Sequence, residues 1–496
     1  MSRTAFVQAG SASGLKSVGW IITAAAAGLV AAAQPPLASL TFFGLIAAVF
    51  LFTLSPLAAL SALLILAPMR TLIATEANFQ LPLEIGQLTT LALIAAWLIY
   101  RIVWQRRLLN LPWSALYVPI IGFLLATGLT AFSAVSLSAW LSEWLKWLFV
   151  LALVVLVLDL GQGQRWEWIV FSLITAGVAN ALIGIYIFFG GSGAMHLLVS
   201  GRFFRAFGTF GQPNPFGGFM GLLAPIAACA ALGYLLLAWK RWRLEKRLSY
   251  RVLLSSVFYT AAFGLLSIGV VISWSRGAWL AFAVSVGATM LVLPRKLWQG
   301  LALALIGLLL VGALWLTGNL PASITARIQS ATTEFLAFND VRGVDITPEN
   351  YAVVERLAHW QAALNMAWYH PWFGVGFGNY EAAYPQFRLL NWDMALGHAH
   401  NYYLNVFGET GIIGLTAYLA LWGTVFWLTL KARQHSDVLS RCVICGLFGT
   451  WIYLTIHSVS DNLYVNNLFL HLGVMLGLLA ILHQQAQARK WLGKSL

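Results

Sequence analysis

Continuous apolar runs, separated by short polar joints, set the pattern of this chain. Runs long enough to cross a hydrocarbon core of ~30 Å can be read at 17–33, 38–54, 57–75, 83–100, 112–132, 144–160, 167–189, 216–239, 252–273, 277–293, 298–317, 404–430, 442–458 and 463–483. They are unbroken rather than alternating, which predicts helices and excludes a β-barrel. The fold class expected is an all-α polytopic membrane protein with twelve to fourteen spans, fourteen on this reading, and both termini on one side.

Polar sequence collects in one place, 318–401, between the eleventh and twelfth spans. Within it, PENYAVVERLAHWQAALNMAWYH (348–370) repeats apolar residues at helical spacing through Val354, Leu357, Ala358, Trp360 and Leu364, and Pro371 ends the pattern. GVGFGN (374–379) follows; with no strand before it and no lysine after it, a tight irregular turn is expected in place of a nucleotide loop. A second helix is expected to start near Asn401, a residue type that caps helix N-termini. TGIIGLTAYLALWGTVFWLTL (410–430) spans by itself, so NYYLNVFGE (401–409) is an extension above the hydrocarbon. A continuous helix would lift His400 roughly 15 Å above Gly411, and a break or tilt would lower it. The chain therefore divides into N-terminal helices (1–190), helices with arginine-bearing outward loops (191–317), the large outward loop (318–401), and C-terminal helices with a tail (402–496).

Composition agrees. Hydrophobic residues make up 60% and charged residues 9%, against about 25% charged in ordinary soluble domains. The net charge of +13 is topological: 20 of the 29 Lys and Arg fall on the side that holds the termini and the loops 101–107, 240–251, 294–296 and 431–441. By the positive-inside rule that side is cytoplasmic, which puts 318–401 outside and removes nucleic acid as a partner. The first span, preceded by Lys16 and followed by Ala31-Ala32-Ala33, also has features of a cleavable signal; retention is expected. Cys442 and Cys445 form a CxxC inside a span, with only Cys229 elsewhere, and read as small packing residues.

The candidate chemistry lies at the outward ends. Arg202 and Arg205 precede the eighth span, and Arg276 lies in the turn between the ninth and tenth. No Asp or Glu occurs between Glu167 and Glu245 or between Glu245 and Glu334, so these arginines lack a carboxylate close in sequence. A guanidinium near a bilayer needs an anion, and its planar fork suits phosphate, of a substrate or of a lipid headgroup. His398 and His400 stand at the mouth of the twelfth span. A neutral imidazole suits a general base. A His-x-His pair also suits a metal, although Asp393 is the only carboxylate close by in sequence. The outward carboxylates beyond the loop (Glu76, Glu84, Glu143, Glu409 and Asp461) form no paired cluster, so no Mg²⁺ site is advertised.

Four stretches occur in order: RAFGTFGQPNPFGGF (205–219), SRGAW (275–279), ERLAHWQAAL followed by HPWFGVGFGNY (355–380), and HAHNYYLNVFGETGIIGL (398–415). Together they resemble the O-antigen ligase/polymerase superfamily, which includes O-antigen ligases, polysaccharide polymerases and bacterial protein O-oligosaccharyltransferases. The resemblance covers about 200–470; the chain departs from it in having about fourteen spans where ligases commonly have twelve. It implies an inverting, metal-independent glycosyltransferase of GT-C type, without cofactor, in the bacterial cytoplasmic membrane. Its donor would be a polyprenyl-diphosphate-linked glycan on the periplasmic or outer face, and its acceptor a hydroxyl of lipid, glycan or protein. The matching essential histidine is His400, directly before Asn401; Arg205 and Arg276, with Arg202 beside them, match the diphosphate-binding arginines. His398, Asn401, Arg356, Trp360 and Glu409 match supporting positions. The rival from another class is a transporter of anions such as inorganic carbon. Transporters place ionisable groups near mid-membrane and carry internal repeats, whereas polarity here is invested in one outward loop.

Overall fold

The computed structural model describes residues 51–76, 84–106, 111–191, 194–199, 201–246, 249–319, 325, 341–347 and 350–492. The expected span 17–33, and with it the question of cleavage, lies outside the described residues, as does 38–54 except for its last four positions. The other twelve spans all fall on helices. Ten are long and apolar enough to cross a membrane, and Tyr117–Ser133 and Arg276–Val292 are shorter apolar helices. The protein is a multi-pass helical membrane protein.

In chain order the helices are α1 (Pro56–Leu66), α2 (Arg70–Glu76), α3 (Ile85–Ile99), α4 (Tyr117–Leu129), α5 (Leu137–Leu160), α6 (Trp166–Tyr186), α7 (Pro213–Glu245), α8 (Tyr250–Ile272), α9 (Arg276–Val292), α10 (Leu297–Leu316), α11 (Tyr351–Tyr369), α12 (Tyr380–Phe387), α13 (Tyr402–His435), α14 (Val438–His457) and α15 (Leu468–Leu492). A two-residue hairpin, β1 (Leu198–Val199) with β2 (Phe203–Phe204), qualifies the all-α expectation. Asn401 starts α13 as expected, accepting from Leu404 N–H at 3.1 Å, and Asp437, which the apolar pattern did not mark, caps α14 by accepting from Ser440 N–H at 3.0 Å.

The centre of the bundle is α7, α14 and α15. Of the apolar window of α15, 83% is buried, against 6% for α10, so α15 is a core helix and α10 faces outward. Small residues bring α14 onto α7: Gly446 and Gly449 both lie against Pro225, and Thr450 donates to the Leu222 carbonyl at 2.7 Å. The three free cysteines pack together among Leu232, Leu236, Val292 and Leu293, as small apolar filler would.

The 348–370 pattern forms α11, which packs on α13. The glycine-rich turn after it is a clamp. Gly378 N–H and Tyr380 N–H donate to the two carboxylate oxygens of Glu409 at 2.9 and 3.0 Å, and Gly376 N–H donates to the Glu409 carbonyl at 2.9 Å. The turn thus cradles a carboxyl group, and that group belongs to the chain itself. On its other side Phe377 N–H donates to Thr130 Oγ1, and Asn379 Oδ1 accepts from Ser136 N–H. The helix that carries Glu409 breaks at Gly411 (φ 61, ψ −163). That conformation is open only to glycine, and the extension 402–410 is therefore not collinear with the span below it.

Gly378 (φ +72) has no room for a side chain, since a Cβ would lie 2.5 Å from Glu143 Cβ. Gly378→Ala is expected to lower stability by about 1–3 kcal/mol from the backbone alone and by more once the clamp shifts. Gly397→Ala, also at positive φ but in open space, should cost only about 1–2 kcal/mol. Thermal denaturation of the two variants in detergent checks the order; equal losses would contradict the clamp.

Candidate active site

One end of the bundle gathers the N-termini of α7, α9 and α13 with the C-termini of α8 and α14. Backbone bonds fix this gathering. Ala206 N–H donates to the Ile272 carbonyl at 2.9 Å, joining the segment before α7 to the end of α8, and Tyr402 N–H donates to the Ser458 carbonyl at 2.8 Å, joining α13 to the end of α14. Between them lies a cavity of about 120 Å³ whose walls include Arg205, Arg276, Arg356, Asn214, His457 and Asp461. It is too small for a glycan and large enough for a phosphate-sized group.

Arg205 is held by two bonds, Nε to the Ser273 carbonyl at 3.2 Å and Nη2 to Asn214 Oδ1 at 3.4 Å. Arg276 is the first residue of α9, so its side chain and the helix N-terminus, through Ser275 and Gly277, line the same space. Asn214 brings the N-terminus of α7 to that space as well. Helix N-termini carry partial positive charge. The cavity therefore combines three guanidinium groups, two helix ends and one carboxylate. Trp274, beside Arg276, adopts φ +56, and its ring packs edge-on against Trp279.

The histidines approach from the α13 side. His400 stands at φ +51, a strained conformation for a residue with a side chain. Its Nδ1 lies 3.4 Å from Asp461 Oδ1, a long contact not linear enough to be a full hydrogen bond. His398 Nδ1 accepts the His400 backbone N–H at 3.0 Å, so the ring carries its proton on Nε2, 3.7 Å from the same Asp461 oxygen. Asn462 N–H also donates to that oxygen at 2.9 Å. Burial raises the Asp461 carboxyl, but the interaction with His400 and the neighbouring His398 and His457 outweigh it and hold the group below the usual carboxylate range. Burial pushes His398 down to about 4 against the opposing pull of Asp461, so that ring is neutral at pH 7.

Behind His400, ring centroids 6.2 Å apart, lies His359 on α11. Its Nδ1 meets Tyr380 Oη at 2.8 Å, and its ring stacks on Tyr384 at 4.8 Å. Burial, with the adjacent His400, lowers His359 to about 4. Arg356 sits one helical turn earlier, which puts an arginine and this ring on the same side of α11.

Arg205, Arg276 and Arg356 thus share one cavity, and His400 and His398 join it through Asp461. Arg202 does not line it: it lies in the exposed turn of the hairpin, its guanidinium 5.1 Å over the Phe203 ring. Trp360 packs with the small core of the loop, near Val341, Val354 and Trp392. Glu409 is buried in the glycine clamp, and Asn401 caps α13. The sequence reading gave no role to Asp461, His457, Asn214 or His359. A signal for Asp461 exists: it is the only carboxylate after Asp437, and it falls in an outward turn. Asp393, the neighbour in sequence, pairs with Arg388 instead. The carboxylate missing from the His-x-His pair is thereby supplied, and one donor atom from each of His398, His400 and Asp461 lies within 4.8 Å of the others, a grouping that could also hold a metal ion.

With this geometry in place, residues 261–419 fit the sequence model of the family described as O-antigen ligase. That segment runs from α8 through Arg276, α11 and both histidines into α13. Over that segment the chain is similar to the O-antigen ligase family. No curated relative matches the sequence.

His359 is neutral when folded down to about pH 4, whereas an unfolded histidine takes up its proton near 6.5. Its contribution to stability is complete above pH 6.5 and is lost as pH falls from 6.5 towards 4, at up to about 1.4 kcal/mol per pH unit. The midpoint of thermal unfolding should therefore drop across that window, and less steeply in His359→Phe. An unchanged slope in the variant would contradict a neutral, buried ring.

Proposed function

We propose that this protein, similar over residues 261–419 to the family described as O-antigen ligase, transfers a glycan from a polyprenyl-diphosphate donor to an acceptor hydroxyl at the outer face of the cytoplasmic membrane. The observation that carries the reading is that Asp461 belongs both to the arginine-lined cavity and to the histidine pair. The outward placement rests on the charge count, with 20 of 29 Lys and Arg at the other side.

The diphosphate occupies the space between Arg205 and Arg276, where permanent forked cations match phosphate oxygens and the N-termini of α7 and α9 add to the field. The polyprenyl tail lies along the apolar spans. An acceptor hydroxyl enters beneath the 318–401 loop. With its Nδ1 turned to Asp461, His400 keeps its proton on that side and offers Nε2 as the base. The acceptor oxygen forms a bond to the anomeric carbon as the bond from that carbon to the phosphate oxygen breaks. The hydroxyl proton passes to His400 Nε2, and the electron pair leaves with polyprenyl diphosphate. Attack opposite the leaving group inverts the anomeric centre. Arg205 and Arg276 stabilise the charge on the departing oxygen, the task a metal ion performs in other phosphate chemistry. His398 and Asp461 act through His400 as positioning residues, with His359 as its support.

The test is reconstitution with a defined undecaprenyl-diphosphate glycan and candidate acceptors: lipid core sugar, growing glycan and a Ser/Thr peptide. Release of the lipid diphosphate coupled to one acceptor assigns the branch; glycan-independent flux of inorganic carbon would select the transporter instead. In the same assay His400→Ala should cost at least about 10²–10⁴-fold in turnover with donor binding retained. Arg276→Lys, which loses the fork, should weaken donor binding and turnover together. Asp461→Asn should lower turnover by about 10²-fold or more, since the ring loses its tautomeric bias. Normal turnover in all three would end the reading. EDTA should leave the rate unchanged, whereas a loss restored by Zn²⁺ would make His398, His400 and Asp461 metal ligands.

A further inference from the structure

At the opposite end of α7, 26 residues and ~39 Å of helix from Asn214, lies a much larger cavity of about 770 Å³. It opens between the α5–α6 turn, the last turns of α7, the start of α8, the start of α14 and the end of α15. Four of its wall residues are cations and two are acids. The acids are matched: Arg251 pairs with Glu167 at 3.3 Å and Arg489 with Asp437 at 2.8 Å. Lys240 and Arg241 form no ion pair among the described residues, which leaves two exposed cations in surplus.

A second groove, of about 630 Å³, adjoins the first and shares Glu167, Tyr234 and Arg251 with it. Its remaining walls are of another kind: Trp168, Phe171, Leu254, Phe258 and Tyr259, with Ser255 beside them. Trp168 and Leu254 are exposed, as residues that face hydrocarbon would be. A cationic chamber thus opens sideways onto an apolar, aromatic trough across one shared wall. Neither half touches the candidate active site.

We infer that these joined cavities hold one anionic phospholipid, its phosphate against Lys240 and Arg241 and an acyl chain in the trough of α6 and α8. Charge complementarity selects the anionic headgroup: two unmatched cations at a membrane surface each favour a lipid phosphate, and a zwitterionic lipid brings a cation of its own. The trough selects a lipid over a free anion, because a soluble phosphate gains nothing from Phe171, Leu254 and Phe258. Tyr234 fits the boundary between the halves, since its hydroxyl reaches Glu167 at 2.9 Å while its ring stacks on Tyr259 at 5.5 Å.

The experiment is native mass spectrometry of the full chain released from bilayers of phosphatidylcholine, phosphatidylethanolamine and phosphatidylglycerol. One phosphatidylglycerol should remain bound in preference to the other two lipids. The double variant Lys240→Gln/Arg241→Gln, both exposed positions, should reduce that retention by about tenfold. Leu254→Trp, which fills the trough and leaves every charge in place, should also reduce it. Retention equal for all three lipids, or unchanged in the double variant, would overturn the inference. Displacement of the lipid by inorganic phosphate or glycerol 3-phosphate, or retention unaffected by Leu254→Trp, would make this an anion site without a lipid and overturn it as well.

Discussion

A carboxylate buried at the end of a membrane bundle survives only in company that keeps its charge solvated. Asp461 has that company in the Asn462 N–H and the rings of His398 and His400 on one oxygen, and in the arginines across the cavity. The contact does two things. It ties the turn after α14 to the entry of α13, elements separated along the chain by the full lengths of α13 and α14. It also sets an imidazole at the edge of a cavity lined by permanent cations. Removing the acid would take away the group that both imidazoles face and the one carboxylate in the arginine-lined cavity, a loss of order as well as of charge.

The rest of the fold reads as support for that contact. Glu409 and the glycine clamp fix α11 and α12 against α13, and α11 in turn presents His359 behind His400 and Arg356 to the cavity. The break at Gly411 lets the extension that begins at Tyr402 follow the loop while the span below follows the bundle. Backbone strain at His400 and Trp274 falls on the two segments that deliver the histidine and Arg276, a distribution usual where geometry serves binding or chemistry. The polar groups of the candidate site are thus gathered at one end of the helices.

Much of this was legible in the chain. Within the described residues the apolar runs fall on helices, ten of them long enough to cross a membrane, because hydrocarbon thickness fixes helix length. Helical spacing located α11, and the capping habit of asparagine located the start of α13. The motifs singled out Arg205, Arg276 and His400, which the fold brings to one end of the bundle. What escaped was what long-range packing decides. Arg202 is three residues from Arg205, yet the hairpin turns it outward over Phe203. Asp393 is five residues from His398 but pairs with Arg388, while Asp461, sixty-one residues beyond His400, supplies the carboxylate. Glu409 matched a supporting position, and its role became clear only once the glycine turn was seen wrapped around it. Neighbours in sequence share a segment; neighbours in a site share a bundle end, which alternating topology sets and local pattern does not.

The most direct measurement is an experimental structure of the protein with a polyprenyl-diphosphate glycan bound. The diphosphate is expected between Arg205 and Arg276, with His400 Nε2 facing the side of the anomeric carbon opposite the phosphate and Asp461 on the far side of the ring. A diphosphate seated away from both arginines, or an imidazole turned away from the sugar, would contradict the account.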